Sequence, residues 1–255
     1  MLTLDIKSEL PKAIRWTDRL TKQLPWITAT AMTESAKKAQ AALKAQTPRY
    51  VDRPVRFTLN STFVRFASPR KLEAWVGFKD FASKGTPAAK YLQPMAAGGI
   101  RSAKSTERQL QRAGLLRPGQ FITPANVTPL KLNQYGNLPG SAYTQVLSRL
   151  KALGEQGYTA NVSRSARSQT KRSSRDYFIG RPGGLPLGIY ARLGKRPKGG
   201  LPRGFHTAFY VTRQPQYSQS FPIQKILNST FNSTFSKNFG NALSREMAYQ
   251  ATRGN

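Results

Sequence analysis

The residues of this chain that could do chemistry are mostly cations, and they are concentrated in one stretch. Between Thr159 and Arg203 there are eleven basic residues and a single acid, Asp176, which gives the stretch a net charge of +10. The eleven are Arg164, Arg167, Lys171, Arg172, Arg175, Arg181, Arg192, Lys195, Arg196, Lys198 and Arg203. Because guanidinium and ammonium groups bind phosphate and carboxylate groups, these residues are candidate contacts to a polyanion or to an acidic protein partner.

The aromatic residues of the same stretch leave the type of polyanion open. Tyr177, Phe178 and Tyr190 alternate with the cations, as aromatics do in grooves that bind nucleic acid. Strands also need aromatic residues for packing, so this pattern alone does not decide. The chain carries no zinc-finger, homeodomain or RNA-recognition signature, and we therefore expect no sequence-specific reading of bases.

Catalytic patterns are missing from the sequence. The single histidine, His206, lies in a predicted strand beside Phe205 and Phe209, and no Gly-x-Ser-x-Gly nucleophile motif accompanies it. The carboxylates are scattered singly, without the spacing of an acid–base pair or of a metal site. The chain has no cysteine, which excludes disulfides, thiolate ligands and a cysteine nucleophile. We expect no enzymatic activity, no cofactor and no metal, and we assign no catalytic, cofactor-binding or metal-binding residue.

The charge of the whole chain indicates a polyanionic surrounding. Its 255 residues include 41 Lys and Arg against 11 Asp and Glu, a net charge of +30. A free protein this basic repels itself and binds acidic surfaces, which nucleic acid, an acidic protein ring or an anionic membrane would supply. The membrane is the least supported of the three, because no apolar run approaches the ~20 residues of a membrane span. No secretory signal begins the sequence, so we expect assembly in a cytoplasm.

The N-terminal half predicts one long helix followed by strands. Residues 1–25 resemble an arm, interrupted by Pro11 and Pro25. A helix rich in Ala, Lys, Gln and Glu is expected at about 27–46, and its many alanines indicate close packing against a neighbouring element. The three runs that follow alternate polar and apolar residues like half-buried strands. They are 55–59, 62–67 and 72–78.

The middle of the chain, residues 81–176, is predicted to be loop-rich, with short helices at about 105–113 and 140–153. Residues 159–176 have no hydrophobic periodicity and are expected to form an extended basic loop. Three further strands are predicted after it, at 177–179, 188–192 and 205–212.

The C-terminal residues predict a second long helix. Apolar residues recur at every fourth position after Pro222, and a spacing of four advances 40° per step around a helix, so their row winds slowly. We interpret the distal part of the row as an assembly surface, although such rows usually face a core. That part consists of Phe231, Phe235, Phe239, Leu243 and Met247.

These elements predict an α+β fold in which a small antiparallel sheet packs against a long N-terminal and a long C-terminal helix. The expected organisation has an N-terminal arm at 1–25 and a core domain made of 26–80 and 177–255. Between the two parts of the core lies the loop-rich insertion, 81–176, which carries the extended basic arms.

The order of elements resembles a group of virion proteins of tailed phages. An Ala-rich helix leads into Asp52–Ser61 (DRPVRFTLNS), a strand, Phe78–Asp80 (FKD) and Gly85–Leu92 (GTPAAKYL), and the chain closes with Phe221-Pro222 and a long helix. The plan is similar to the tail-completion family that includes the minor tail protein Z of lambda-like phages. The motif-bearing stretch is about 27–92, and the insertion makes this chain larger than the family plan. The family has no catalytic residues that could be carried over.

The resemblance implies a structural protein at the head-proximal end of the tail, which completes the tail or joins it to the head. The expected partners are further copies in a ring, neighbouring portal, adaptor or tail proteins, and genomic DNA through contacts to its backbone. The expected location is the tail or neck of the virion. The alternative is a non-specific nucleic-acid-binding protein packaged with the phage genome. A ribosome-associated role also fits the charge but has no family resemblance in its favour.

Overall fold

A computed structural model of the chain describes residues 10–83, 85–126, 128–153, 176–192 and 205–253. The chain divides into two compact units, the first made of residues 1–97 and 219–255 and the second of residues 98–218. The fold is α+β with long N- and C-terminal helices and small antiparallel sheets, which confirms the predicted class.

The described residues of the first unit form four helices and one hairpin. These elements are α1 (Leu10–Tyr50), α2 (Arg56–Leu59), β1 (Thr62–Arg65), β2 (Trp75–Phe78), α3 (Ala88–Ala97) and, at the C-terminus, α6 (Ile223–Arg253). Strands β1 and β2 pair antiparallel and pack on α1. The long helices α1 and α6 lie antiparallel along one another, since Glu34 contacts Arg245 while Lys38 contacts Asn238.

The alanine-rich face of α1 packs against α6, as the composition indicated. Ala31, Ala36 and Ala39 are buried on α1, and Ala242 is buried on α6. Small side chains allow two helix backbones to approach closely. A separate apolar cluster closes one end of the unit, where Leu43, Phe78, Leu92, Phe221 and Ile226 pack together.

Three predictions for this unit were wrong. Residues 10–25 are not an arm, because α1 begins at Leu10 and continues through Pro25. The run 55–59 forms the short helix α2 instead of a strand, with Thr58 buried and hydrogen-bonded to the Tyr91 hydroxyl at 2.7 Å. Helix α3 occupies a region that was expected to be loop.

The second unit is built on a four-stranded antiparallel sheet in the order β4-β7-β6-β5. Its elements are β3 (Gly99–Ile100), α4 (Ser105–Arg112), β4 (Gln120–Pro124), α5 (Gly140–Arg149), β5 (Asp176–Gly180), β6 (Gly188–Arg192), β7 (Phe205–Arg213) and β8 (Gln216–Tyr217). Strands β3 and β8 form a separate short pair. The helices predicted near 105 and 140 and the three strands β5, β6 and β7 are confirmed, whereas β4 was not predicted.

The sheet of the second unit has its own core. Ile122, Ile189 and Phe209 from the strands pack with Leu110 of α4 and Val146 of α5. The predicted core domain, which joined 177–255 to 26–80, was wrong. Strands β5 to β8 lie in the compact unit 98–218, and only the residues from 219 onward lie with the N-terminal elements.

Gly188 sets the spacing of the two central strands of this sheet. A Cβ at this position would lie 2.6 Å from the Phe209 carbonyl oxygen on β7, which is too close for two non-bonded atoms. Only glycine therefore permits β6 to begin at this distance from β7.

Candidate functional site

The predicted assembly row lies on α6 as a continuous strip of apolar side chains. The Phe231 and Phe235 rings stack with centroids 5.4 Å apart, and the Phe235 and Phe239 rings follow at 6.1 Å. The three phenylalanines and Leu243 are partly buried, and Met247 is exposed. The row therefore keeps part of its apolar surface accessible.

The buried row of α6 lies one residue before the predicted row. Ile226, Asn238, Ala242 and Gln250 are buried, and they are separated by multiples of four positions. One residue is about 100° of rotation around a helix. The face that α6 buries therefore mixes apolar and polar residues, while the phenylalanine row is displaced to the side of it. Sequence reasoning missed this because it followed the apolar residues alone.

Asn238 connects α6 to α1 through both ends of its amide. The Asn238 Nδ2 group donates to Ser35 Oγ at 2.8 Å, and Ser35 Oγ donates in turn to the Ala31 carbonyl at 2.8 Å. The Lys38 ammonium donates to Asn238 Oδ1 at 2.7 Å. A buried polar group that is fully hydrogen-bonded favours one register over its neighbours, so this network fixes how the two helices pair.

The hairpin of the first unit exposes large apolar side chains at its tip. We define the hairpin tip as residues 66–75, which include the β1–β2 turn. Phe66 is 59 % exposed, Trp75 is 55 % exposed and Leu72 is 43 % exposed. Trp75 lies opposite Arg65 in the strand pair, and the Lys37 ammonium lies 4.9 Å from the Phe66 ring centroid.

The hairpin tip carries residue types that are common at protein interfaces. Trp, Phe and Arg are enriched there relative to the rest of a protein surface, and Trp and Arg are also enriched among the residues that dominate binding energy. The alternation of residues 62–78 predicted half-buried strands and gave no signal that these aromatics would be uncovered. The basic turn Ser68–Lys71 between the two runs is the feature that could have indicated an exposed tip.

Two of the eleven candidate cations lie in the described residues, and the structure does not bring them together. Arg181 directly follows β5, whereas Arg192 is the last residue of β6. Because β5 and β6 are antiparallel and Asp176 pairs with Arg192, these two arginines lie at opposite ends of the sheet. The other nine lie outside the described residues, namely Arg164, Arg167, Lys171, Arg172, Arg175, Lys195, Arg196, Lys198 and Arg203.

The connections that carry those nine cations join the sheet at one end. Residues 154–175 precede Asp176, and residues 193–204 join Arg192 to Phe205. Asp176 pairs with Arg192, and Arg192 pairs with Phe205. The Arg192 guanidinium itself lies 5.9 Å from the Phe178 ring centroid and 5.8 Å from that of Phe205. This end of the sheet therefore combines a cation with two aromatic rings, one of which, Phe178, belongs to the aromatics named in the sequence analysis.

A buried ion pair stabilises the second unit where the start of α4 meets β4. The Glu107 side chain is completely buried and accepts hydrogen bonds from the Arg101 guanidinium at 2.6 and 2.7 Å. It also accepts the backbone N–H groups of Lys104 at 2.7 Å and Ile122 at 3.0 Å. The Arg101 guanidinium lies over the Phe121 ring at 4.7 Å from its centroid. The pair therefore fastens the start of α4 to β4.

Electrostatics keep Glu107 ionised in spite of its burial. Burial alone raises the pKa of this carboxyl, but the Arg101 guanidinium and the two backbone N–H groups outweigh it and lower the pKa below its ordinary value. The sequence analysis found the carboxylates scattered singly and did not identify Glu107 as buried. Glu107 accepts the Lys104 N–H at the start of α4, which is one half of a capping box. Lysine at the N-cap lacks the side-chain acceptor of the Ser or Thr signature, so no sequence pattern marked this glutamate.

The pairing of Glu107 leaves the second unit strongly cationic at its surface. Residues 98–218 contain 20 basic residues and three acids. Glu107 is the only carboxylate among the described side chains of this unit, and it is buried. The exposed described cations are Lys104, Arg108, Arg112, Arg117, Lys131, Lys151, Arg181, Arg192 and Arg213.

His206 and Asp52, two residues whose types could do chemistry, occupy ordinary positions in the fold. His206 lies on β7 and is partly buried. Asp52 forms an exposed ion pair with Arg53 at 3.2 Å, as expected from their adjacency. Across the described ranges, no three His, Asp or Glu side chains are grouped so as to hold a metal ion. In the same part of the chain, no helix combines the length and apolar character needed to cross a membrane.

Comparisons with protein-family models, with curated proteins and with solved structures found no match for this chain.

Proposed function

We propose that this chain is a structural protein of a tailed-phage virion, placed at the head-proximal end of the tail, where it completes the tail or joins it to the head. It assembles through protein–protein contacts, as a ring of copies that meets portal, adaptor or tail proteins. Its role in the particle is mechanical and not catalytic.

The observation that carries the proposal is the uncovered aromatic surface of the first unit. The hairpin tip leaves Phe66, Leu72 and Trp75 exposed, and α6 carries its row of stacked phenylalanines beside the face that it buries. Large exposed apolar groups in one unit mark surfaces that partners cover. Two such surfaces on one unit suit a subunit that contacts two neighbours at once.

The scaffold between these surfaces favours the same role. Helices α1 and α6 pair over much of their length, with the Asn238 network fixing their register. A subunit in a ring must hold its contact surfaces at a constant separation, and a pair of packed helices does this. The resemblance of residues 27–92 to tail-completion proteins points in the same direction.

Deletion of the coding sequence from the phage genome that carries it tests the proposal. Electron microscopy of the lysate should then show filled heads and tails that remain separate, and purified protein added to that lysate should restore joined particles. Joined particles in the lysate of the deletion phage would contradict the proposal.

Binding to nucleic acid is the second candidate function, and the charge distribution of the second unit favours it. This unit has its single described carboxylate buried and nine described cations exposed. Binding through phosphates should weaken with salt, with log K falling by ~0.9 for each phosphate neutralised on a duplex. Deletion of residues 163–175 should remove a large part of that slope. An unchanged slope would exclude this stretch from DNA contact.

A further inference from the structure

A groove at the Arg181 end of the sheet has the chemistry of an anion site. It has a volume of about 410 Å³ and lies between the β5–β6 turn and the ends of β4 and β7. Its lining consists of Gln120, Arg181, Gly184, Leu185, Pro186, Leu187, Val211, Thr212 and Arg213. Both arginines are exposed, and no carboxylate lines the groove.

Strand pairing explains why these residues converge. Gln120 of β4 lies directly opposite Arg213 of β7 in the sheet. The Val211 N–H donates to the Leu187 carbonyl at 2.9 Å, which holds the β5–β6 turn against the end of β7. Arg181 begins that turn, so it is brought to the same groove from the other side.

Two kinds of side chain offer donors in the groove. Gln120 Oε1 accepts the Arg117 N–H at 2.8 Å, which fixes the orientation of the amide and leaves its Nε2 group to donate. The Thr212 side chain alternates with Arg213 along β7 and so points to the opposite face of the sheet. The Gln120 amide and the Arg181 and Arg213 guanidinium groups therefore give three sources of N–H donors.

Three carbonyl groups of the turn already accept hydrogen bonds. The Leu187 carbonyl accepts Val211 N–H, the Pro182 carbonyl accepts Leu185 N–H, and the Pro186 carbonyl accepts the Tyr190 hydroxyl. The two guanidinium groups and the Gln120 amide offer their donors beside these occupied carbonyls, and this arrangement suits a ligand that accepts hydrogen bonds.

We propose that this groove binds a phosphate group, either free or in the phosphodiester backbone of a nucleic acid. The planar fork of arginine binds phosphate oxygens in pairs, and a phosphate has enough oxygens to accept from two arginines and an amide together. The volume lies within the range of about 300 to 1,000 Å³ found for small-ligand pockets. The inference is independent of the place of the protein in a tail.

The test is a titration of the full-length protein with inorganic phosphate and with pyrophosphate, followed by the NMR signals of arginine Nε–H and glutamine side-chain amide groups. Saturable shifts should appear for Arg181, Arg213 and Gln120. The double variant Arg181→Ala/Arg213→Ala should bind pyrophosphate at least about tenfold more weakly, because each arginine supplies charge-assisted hydrogen bonds. The double variant Arg112→Ala/Lys131→Ala removes two exposed charges outside the groove and should change binding by less than about twofold.

One conservative variant separates loss of the site from loss of the fold. Gln120→Glu keeps the acceptor for the Arg117 N–H but places a carboxylate in the groove, so it should abolish binding without changing the melting temperature. Equal weakening by the groove variants and by the Arg112→Ala/Lys131→Ala control would overturn the proposal, as would acetate binding as tightly as phosphate.

Oligonucleotides then distinguish the two sources of phosphate. If Gln120→Glu lowers the affinity for a short duplex and pyrophosphate competes with that duplex, the ligand is the nucleic-acid backbone. If Gln120→Glu abolishes pyrophosphate binding while duplex affinity is unchanged, the ligand is a free phosphate compound. Both results uphold the groove as a phosphate site.

Discussion

The Glu107 carboxylate is completely buried and lies 2.6 Å from the Arg101 guanidinium, which is itself largely covered. This pair joins the segment before α4 to the helix itself, and the Ile122 N–H extends the network to β4. Because the partner groups satisfy each other inside the unit, removal of either one leaves an uncompensated charge.

Glu107→Gln should therefore destabilise the second unit. Glutamine has nearly the same shape, but it leaves the Arg101 charge without a counter-charge. Its NH2 group also faces the Arg101, Lys104 and Ile122 groups, which are themselves hydrogen-bond donors. Breaking a buried pair costs about 3 to 5 kcal/mol. Glu73→Gln is the matched control, since Glu73 forms an exposed pair with Lys71 at 3.2 Å, and it should change stability by less than about 1 kcal/mol. Urea denaturation of both variants measures the difference, and a loss of equal size in the two would contradict the account.

The stabilisation by Glu107 should also depend on pH. Its pKa is lower in the folded protein than in the unfolded chain, where a glutamate titrates at about 4.3. The stabilisation is therefore complete above that pH and is lost as pH falls through the folded pKa. The stability difference between the wild type and Glu107→Gln should be constant from pH 7 to about 5 and should shrink at lower pH. Thermal melting across this range measures it, and a difference that stays constant down to pH 2 would exclude the mechanism.

Asn238→Ala should loosen the pairing of the two long helices. The variant loses the hydrogen bonds to Ser35 and Lys38 and leaves a small cavity on the buried face of α6. The expected loss of stability is about 1 to 3 kcal/mol. Asn232→Ala on the exposed side of the same helix is the control and should be nearly neutral. If the two variants melt alike, the Asn238 network does not determine the helix register.

Trp75→Ala should affect assembly and not folding. Trp75 is 55 % exposed at the hairpin tip, so its removal creates no cavity. If a partner covers it, truncation should weaken that contact by at least about tenfold, as at other tryptophan-centred interfaces. The control is Trp26→Ala, which truncates an exposed tryptophan on α1. The effect is measured by adding each purified variant to a lysate of the deletion phage and counting the joined head–tail particles. Equal numbers of joined particles for both variants would remove the hairpin tip from the interface.

The long periodic elements could be predicted from sequence, because burial of one face leaves a repeating pattern. Helix α6 and strands β5, β6 and β7 fall where the pattern placed them. The run 55–59 has the same alternation as a strand but is too short for periodicity to distinguish it from a helical turn. In the structure it is held by a hydrogen bond between Thr58 and Tyr91, which lie far apart in sequence.

Proline residues misled the prediction of two helices, α1 and α3. Pro11 lies in the first turn of α1, where its missing N–H has no helical partner to lose. Pro25 removes one hydrogen bond, but the good helix formers on either side continue the helix across it. In the same way Pro94 lies inside α3, which was taken as loop. Helices that tolerate proline do so through context that local sequence does not contain.

The candidate sites were predictable in composition but not in arrangement. Arg181 and Arg192 belong to one basic stretch, yet antiparallel pairing of β5 and β6 places them at opposite ends of the sheet. Arg213 joins Arg181 only because β7 runs beside the β5–β6 turn. Such a groove depends on contacts between strands, and the spacing of residues along the chain does not predict those contacts.

Cryo-electron microscopy of the virion neck tests the proposed function most directly. The account predicts a ring of this chain between portal and tail, with the row from Phe231 to Met247 or the hairpin tip buried between subunits. A particle in which the chain is found with the packaged genome, or in which the neck contains no density for it, would contradict the account.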